Sequence, residues 1–96
     1  MKVEILGKEY NYEFSGFAPL YAYEVIMGAP FEGGSTRNMH VLMYATLLAS
    51  NPAITKPSTD EFIAWLYEHP TEEMVLADVI NKELIRRAEL VSKKKE

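Results

Sequence analysis

The chain has 96 residues, 48% of them hydrophobic and 25% charged, with a formal net charge of −4 and no cysteine. That length fits one domain, able to bury roughly 60–65% of the surface its unfolded form exposes. The acidic balance argues against nucleic acid, whose phosphates call for clustered Lys and Arg, and the lack of cysteine excludes disulfides, thiol chemistry and thiolate metal sites.

The segment VEILGKEYNYEF, residues 3–14, alternates, breaks at a glycine and alternates again. It reads as a β-hairpin over residues 2–14. With Gly7 and Lys8 at the centre of a two-residue turn, Leu6 faces Glu9, Ile5 faces Tyr10, Glu4 faces Asn11 and Val3 faces Tyr12. Val3, Ile5, Tyr10 and Tyr12 then share one apolar face. Lys2, Glu4, Asn11 and Glu13 fall on the other. A one-residue slip scrambles this sorting. So small a ribbon needs a helical body to lie on.

Four helices follow. The first is expected over residues 19–27, opened by Pro19 and closed by Gly28. The Gly- and Pro-rich loop GAPFEGGS leads to a helix over 36–50, capped by Ser35 or Thr36 and ending at SNP, residues 50–52. A third is expected over 59–68, where Ser58 and Glu61 make a capping box. The fourth is expected over 72–92. Thr71 caps it, Glu72 and Glu73 sit at its positive end, and Lys93–Lys95 lie at its negative end. Its stripe is Leu76, Ile80, Leu84, Ala88 and Val91. Phe17, Leu47, Phe62, Trp65 and Ile80 are assigned to the core. The fold class is α+β, mostly α: one domain over 1–96 with an N-terminal hairpin on about four helices.

Chemistry is thin along this chain. His40 has no carboxylate or histidine one turn away. His69 ends a helix, where a cation suits the dipole. His69, Glu72 and Glu73 are close in sequence, but they lack the second ligand set of a metal site. The serines sit at caps, turns or the tail, and GFAPLYAYEVIMG has no phosphate-cradling pattern. The expectation is no catalytic residue, no metal and no cofactor. The longest apolar run, VLMYATLLA at 41–49, is short of the ~20 residues of a membrane span. The opening MKVEILGKEY carries acids and is unlike a signal peptide. A soluble cytoplasmic chain without membrane contact is expected.

Surface for binding remains. The chain holds six tyrosines, four phenylalanines, one tryptophan and five methionines. Tyr21 and Tyr23 lie about 160–200° apart around their helix, so both cannot face one core, and Tyr67 points away from Trp65 by a similar angle. Tyr21, Tyr23, Phe31 and Tyr67, with Met27 as an adaptable neighbour, are the candidate partner-binding residues.

The order of these features resembles a known family. A hairpin with GKEY precedes an aromatic-led helix ending YEVIMGAPF. A Leu-rich helix then runs into LLASNP, and helices with a polar and an acidic start follow. This is similar to the tail assembly chaperones of long-tailed bacteriophages and prophages, with Glu24, Gly28, Phe31, Asn51 and Pro52 at the positions of the family's short motifs. The resemblance implies a non-enzymatic protein that binds the helical tape-measure protein before tail-tube subunits polymerise around it. It implies a host-cytoplasmic protein absent from the finished virion. It also implies a role for the tail-tube protein as a second partner, recruited in many relatives by a frameshifted extension; the lysine codons of Lys93–Lys95 are where such a slippery site is expected. Rival readings are a small regulatory or antitoxin-like adaptor, a cofactor-binding subunit, and a domain that self-associates through an exposed hairpin edge.

Overall fold

In the computed structural model, which describes residues 1–95 and side chains as far as Lys93, two strands precede four helices: β1 (Lys2–Ile5), β2 (Lys8–Asn11), α1 (Ala18–Met27), α2 (Thr36–Ser50), α3 (Thr59–Glu68) and α4 (Pro70–Lys95). The protein is α+β and mostly α, with the antiparallel hairpin at its N-terminus. The cationic cap expected at Lys94 and Lys95 lies outside the described side chains.

Helix α2 is the hub. It touches α1, α3, α4 and β2, and every residue from Val41 to Leu47 is buried. The hairpin contributes Val3, Ile5, Tyr10, Tyr12 and Phe14 to the same core, α3 contributes Phe62, Trp65 and Leu66, and α4 contributes Leu76 and Ile80. The capping box of α3 is present, with Ser58 Oγ accepting from Glu61 N and Glu61 Oε1 from Ser58 N.

The apolar face of the hairpin is the expected one, but its register is displaced by two. Lys2 pairs with Asn11, Val3 with Tyr10, Glu4 with Glu9 and Ile5 with Lys8. The turn is therefore Leu6-Gly7, both at positive φ (53° and 80°), as a type I′ turn requires. A two-residue displacement keeps every side chain on its face, so apolar sorting does not choose between the registers. Backbone hydrogen bonding does. In the observed register Tyr12 exchanges bonds with Met1 (2.8 and 3.1 Å), which turns the N–H and C=O of Asn11 and Glu13 outward. Asn51, at the end of α2, meets them. Its Oδ1 accepts from Asn11 N at 2.9 Å and its Nδ2 donates to Asn11 O at 2.7 Å and to Leu47 O at 2.8 Å. Ser50 Oγ accepts from Glu13 N at 2.9 Å. The expected register would have pointed these groups at β1 and left the two helix-end side chains only their bonds within α2, Asn51 to Leu47 O and Ser50 to Thr46 O.

Two helix starts differ from expectation. Helix α1 begins one residue early, at Ala18. Helix α4 begins at Pro70, not 72, and Thr71 is not its cap: proline presets the helical φ, and His69 O accepts from Glu73 N at 3.0 Å. A single residue, His69, thus separates α3 from α4. Helix α4 has 26 residues, ~39 Å at the usual rise, and the molecule measures 48 × 27 × 25 Å. Its expected stripe divides accordingly. Leu76 and Ile80 are buried and Leu84 half-buried, whereas Ala88 and Val91 are exposed on the last turns.

Two stability measurements check this account. Asn51→Ala removes the part-buried bonds to both backbone groups of Asn11 and should cost about 1–2 kcal/mol in chemical denaturation; a loss below about 0.5 kcal/mol would mean that Asn51 does not hold the hairpin. Leu6→Asn replaces a leucine held at positive φ with a residue suited to it and should gain roughly 1 kcal/mol.

Candidate protein-binding surface

Helix α1 has the sequence APLYAYEVIM, with Glu24 its only charge. Proline near its start and Gly28 at φ 70° after its end fix its limits. Tyr23 and Pro19 face the core, and Leu20 and Met27 pack half-buried beside them. Phe17, Tyr21 and Val25, spaced i, i+4, i+8, run along the opposite side. They are 62%, 63% and 86% exposed, and the Phe17 and Tyr21 rings lie 6.0 Å apart.

The five candidate residues therefore divide. Tyr21 is on the outward face of α1. Tyr23 is 2% exposed, which corrects its selection as a surface contact: of two tyrosines on opposite sides of one helix, this is the one α2 covers. Its ring meets Phe31 edge-on, at 5.3 Å and 84°. Phe31 and Met27 are half-buried against the core and close it over Tyr23. Tyr67 is 85% exposed on α3, and no aromatic contact joins it to α1 among the described residues. Phe17, assigned to the core from sequence, is outside. It occupies the N-cap position of α1, and Phe14, 5% exposed, takes the interior place. Val25 was missed, although its spacing from Phe17 and Tyr21 carries the signal.

The start of α1 is tied to α4 through one arginine. Arg87 Nη2 donates to Gly16 O, at 2.6 Å, and its guanidinium lies 5.0 Å from the Phe14 ring centre and 5.7 Å from that of Phe17. Glu83 holds it in turn, accepting from Arg87 Nε at 2.8 Å and from Arg86 at 2.7 and 2.8 Å. Hydrogen bonds from Arg86 and then Arg87 pull the Glu83 carboxyl down to about 2.

Histidines and acids do not converge on a metal. His69 Nδ1 donates to Trp65 O at 2.8 Å, and its ring stacks on Trp65 at 4.7 Å. Glu73 turns to His40, whose Nε2 lies 2.7 Å from its Oε2. That pair joins α2 to α4 across 33 positions, and no local spacing announces it. Among the described residues no three His, Cys, Asp or Glu are placed to hold a metal ion, and no helix is long and apolar enough to cross a membrane. Clefts exist but are shallow. The one between the hairpin and α1 is lined by Asn11, Glu13, Ser15 and Ser50, side chains and backbone mostly engaged in holding the hairpin.

No family model, curated protein or solved structure matches this chain.

The Glu83 linkage has a direct check. Its folded pKa lies below the ordinary 4.5, so the cluster's contribution is complete above that value and is lost as pH falls through about 2. A carboxyl-carbon NMR titration should place the Glu83 midpoint near 2, and Arg86→Gln with Arg87→Gln should return it toward 4.5.

Proposed function

We propose that this chain is a non-enzymatic assembly chaperone that covers apolar helical stripes of another protein. The partner is the tape-measure protein of a phage or prophage tail, bound before the tube polymerises, with the tail-tube protein as a second partner. One observation carries the reading. A helix apolar on both sides is normally buried on both sides, yet α1 lies on the surface with Phe17, Tyr21 and Val25 facing solvent. Aromatic anchors in such a row are what helix-on-helix recognition uses. The order of the hairpin and helices, and the residues Glu24, Gly28, Phe31, Asn51 and Pro52, support the tail-chaperone assignment by resemblance. A net charge of −4 favours solubility of a complex whose partner carries exposed apolar surface. On this reading the protein works in the host cytoplasm and leaves before the virion is complete.

Co-expression with the rod-like product of the neighbouring tail gene tests the proposal. The rod should stay in the soluble fraction with the chain present and precipitate without it. Equal precipitation in both would end the proposal. Tyr21→Ala and Val25→Ala should abolish the protection while shifting stability by only about 0.5 kcal/mol, as exposed positions do. Tyr23→Ala should instead cost about 3–5 kcal/mol, as the loss of a buried aromatic does.

A further inference from the structure

The charge around α1 is one-sided. From Glu9 to Thr36 the chain has four glutamates, Glu9, Glu13, Glu24 and Glu32, and no lysine or arginine, whereas six of its ten cations fall between Lys82 and Lys95. Glu9 pairs with Lys2 at 3.4 Å, and Glu13 lies 4.0 Å from the N-terminal ammonium. Glu24 and Glu32 are exposed and make no ion pair among the described residues. Glu24 sits on α1 between Tyr21 and Val25. Glu32 lies just beyond its C-terminal end, and Glu13 lines the cleft at its other end beside Ala18 and Pro19. Of the cations nearby, Arg87 is engaged by Glu83 and Gly16, and exposed Arg37 lies past the helix, next to Asn38, whose Nδ2 donates to Glu32 O at 3.1 Å. Acids thus lie beside the middle of the apolar row and near each of its ends.

Resting on the proposed reading of α1 as the binding face, we infer that its partner is a helix of another protein whose apolar stripe is flanked by Lys and Arg. Helix α1 has 10 residues, ~15 Å, and so covers about three turns of such a helix. Phe17, Tyr21 and Val25 supply the apolar contact. Glu24 and Glu32, with Glu13 as a weaker third, select the flank by charge and reject an acidic helix through like-charge repulsion.

Two synthetic amphipathic helices with one leucine stripe, flanked by Lys in one and by Glu in the other, test the inference by fluorescence anisotropy. The Lys peptide should bind about tenfold or more tighter at low ionic strength, with the gap closing as salt is raised. Glu24→Lys with Glu32→Lys should reverse the preference, and a melting curve confirms that this variant folds. Equal binding of both peptides, weakened in both cases by Tyr21→Ala, would overturn the charge rule and leave the binding face standing. Lys-peptide binding untouched by either Tyr21→Ala or the charge reversal would overturn both. Light scattering supplies a third outcome: concentration-dependent multimers that the Lys peptide disperses would assign the face to the cationic α4 of a second copy, which also overturns the inference.

Discussion

The structure turns on the side chain of Asn51. It is 4% exposed and does two jobs with one amide. It closes α2 by donating to Leu47 O, and it continues the hairpin by bonding both backbone groups of Asn11. A two-stranded ribbon is marginal alone, and its open edge invites pairing with other chains. Here the C-terminal end of a helix stands in for a third strand at Asn11, and Ser50 extends it to Glu13. At these two residues the β2 edge becomes an internal joint, and the register follows from the joint. Once the register is set, Tyr12 enters the core and its hydroxyl donates to Leu76 O at 3.0 Å; burial raises that phenol's pKa well above its ordinary value. Hairpin, α2 and α4 are thereby referred to one another through two side chains.

Helix α1 depends on this frame but gives little back on its outer side. Tyr23, with Phe31 against it, anchors the helix to α2, and Arg87 fastens its entry to α4. Between those attachments the outward side chains make two contacts, Phe17 with Tyr21 and Phe17 with the Arg87 guanidinium. Retaining Phe17, Tyr21 and Val25 in water is unfavourable for solubility and does nothing for the core. Local choices that conflict with the rest of a fold mark functional positions more often than core ones. Leu6 is a second conflict, a leucine 60% exposed and held at positive φ where asparagine would sit without strain.

What the sequence made legible follows from what periodicity can see. Alternation sorted the two faces of the hairpin, because that sorting depends only on parity. It did not discriminate between registers two apart, because both have the same parity; the deciding bond comes from Asn51, 40 positions away. Helical spacing separated Tyr21 from Tyr23 but did not say which of them faced the body. Phe17 is assigned to the core from sequence, but Phe14 sits there instead; neither lies inside a helix or strand, so periodicity does not orient them. The stripe of α4 was correct as a pattern, yet the body ends near Leu84, and where the body ends is a tertiary fact. The bond between His40 and Glu73 was invisible for the same reason.

The size of the α1 face bears on the proposed chaperone role. Three exposed side chains on a helix of about three turns give an interface at the small end of the range, the region of weak and transient complexes. A tight face would be a defect on the proposed reading, because the tube must later displace it. A long rod, however, offers many such segments, and occupancy can be kept high by the number of copies present with each contact weak. Acidic borders fit the same demand. Screened charges contribute more to finding and aligning a partner than to holding it, so on the proposed reading the glutamates would select which stripe is covered and the aromatic row would set how long it stays covered. Adding more buried apolar area to α1 would slow dissociation from such a partner, and a face this modest fits the proposed role, in which the cover must later yield to a permanent coat.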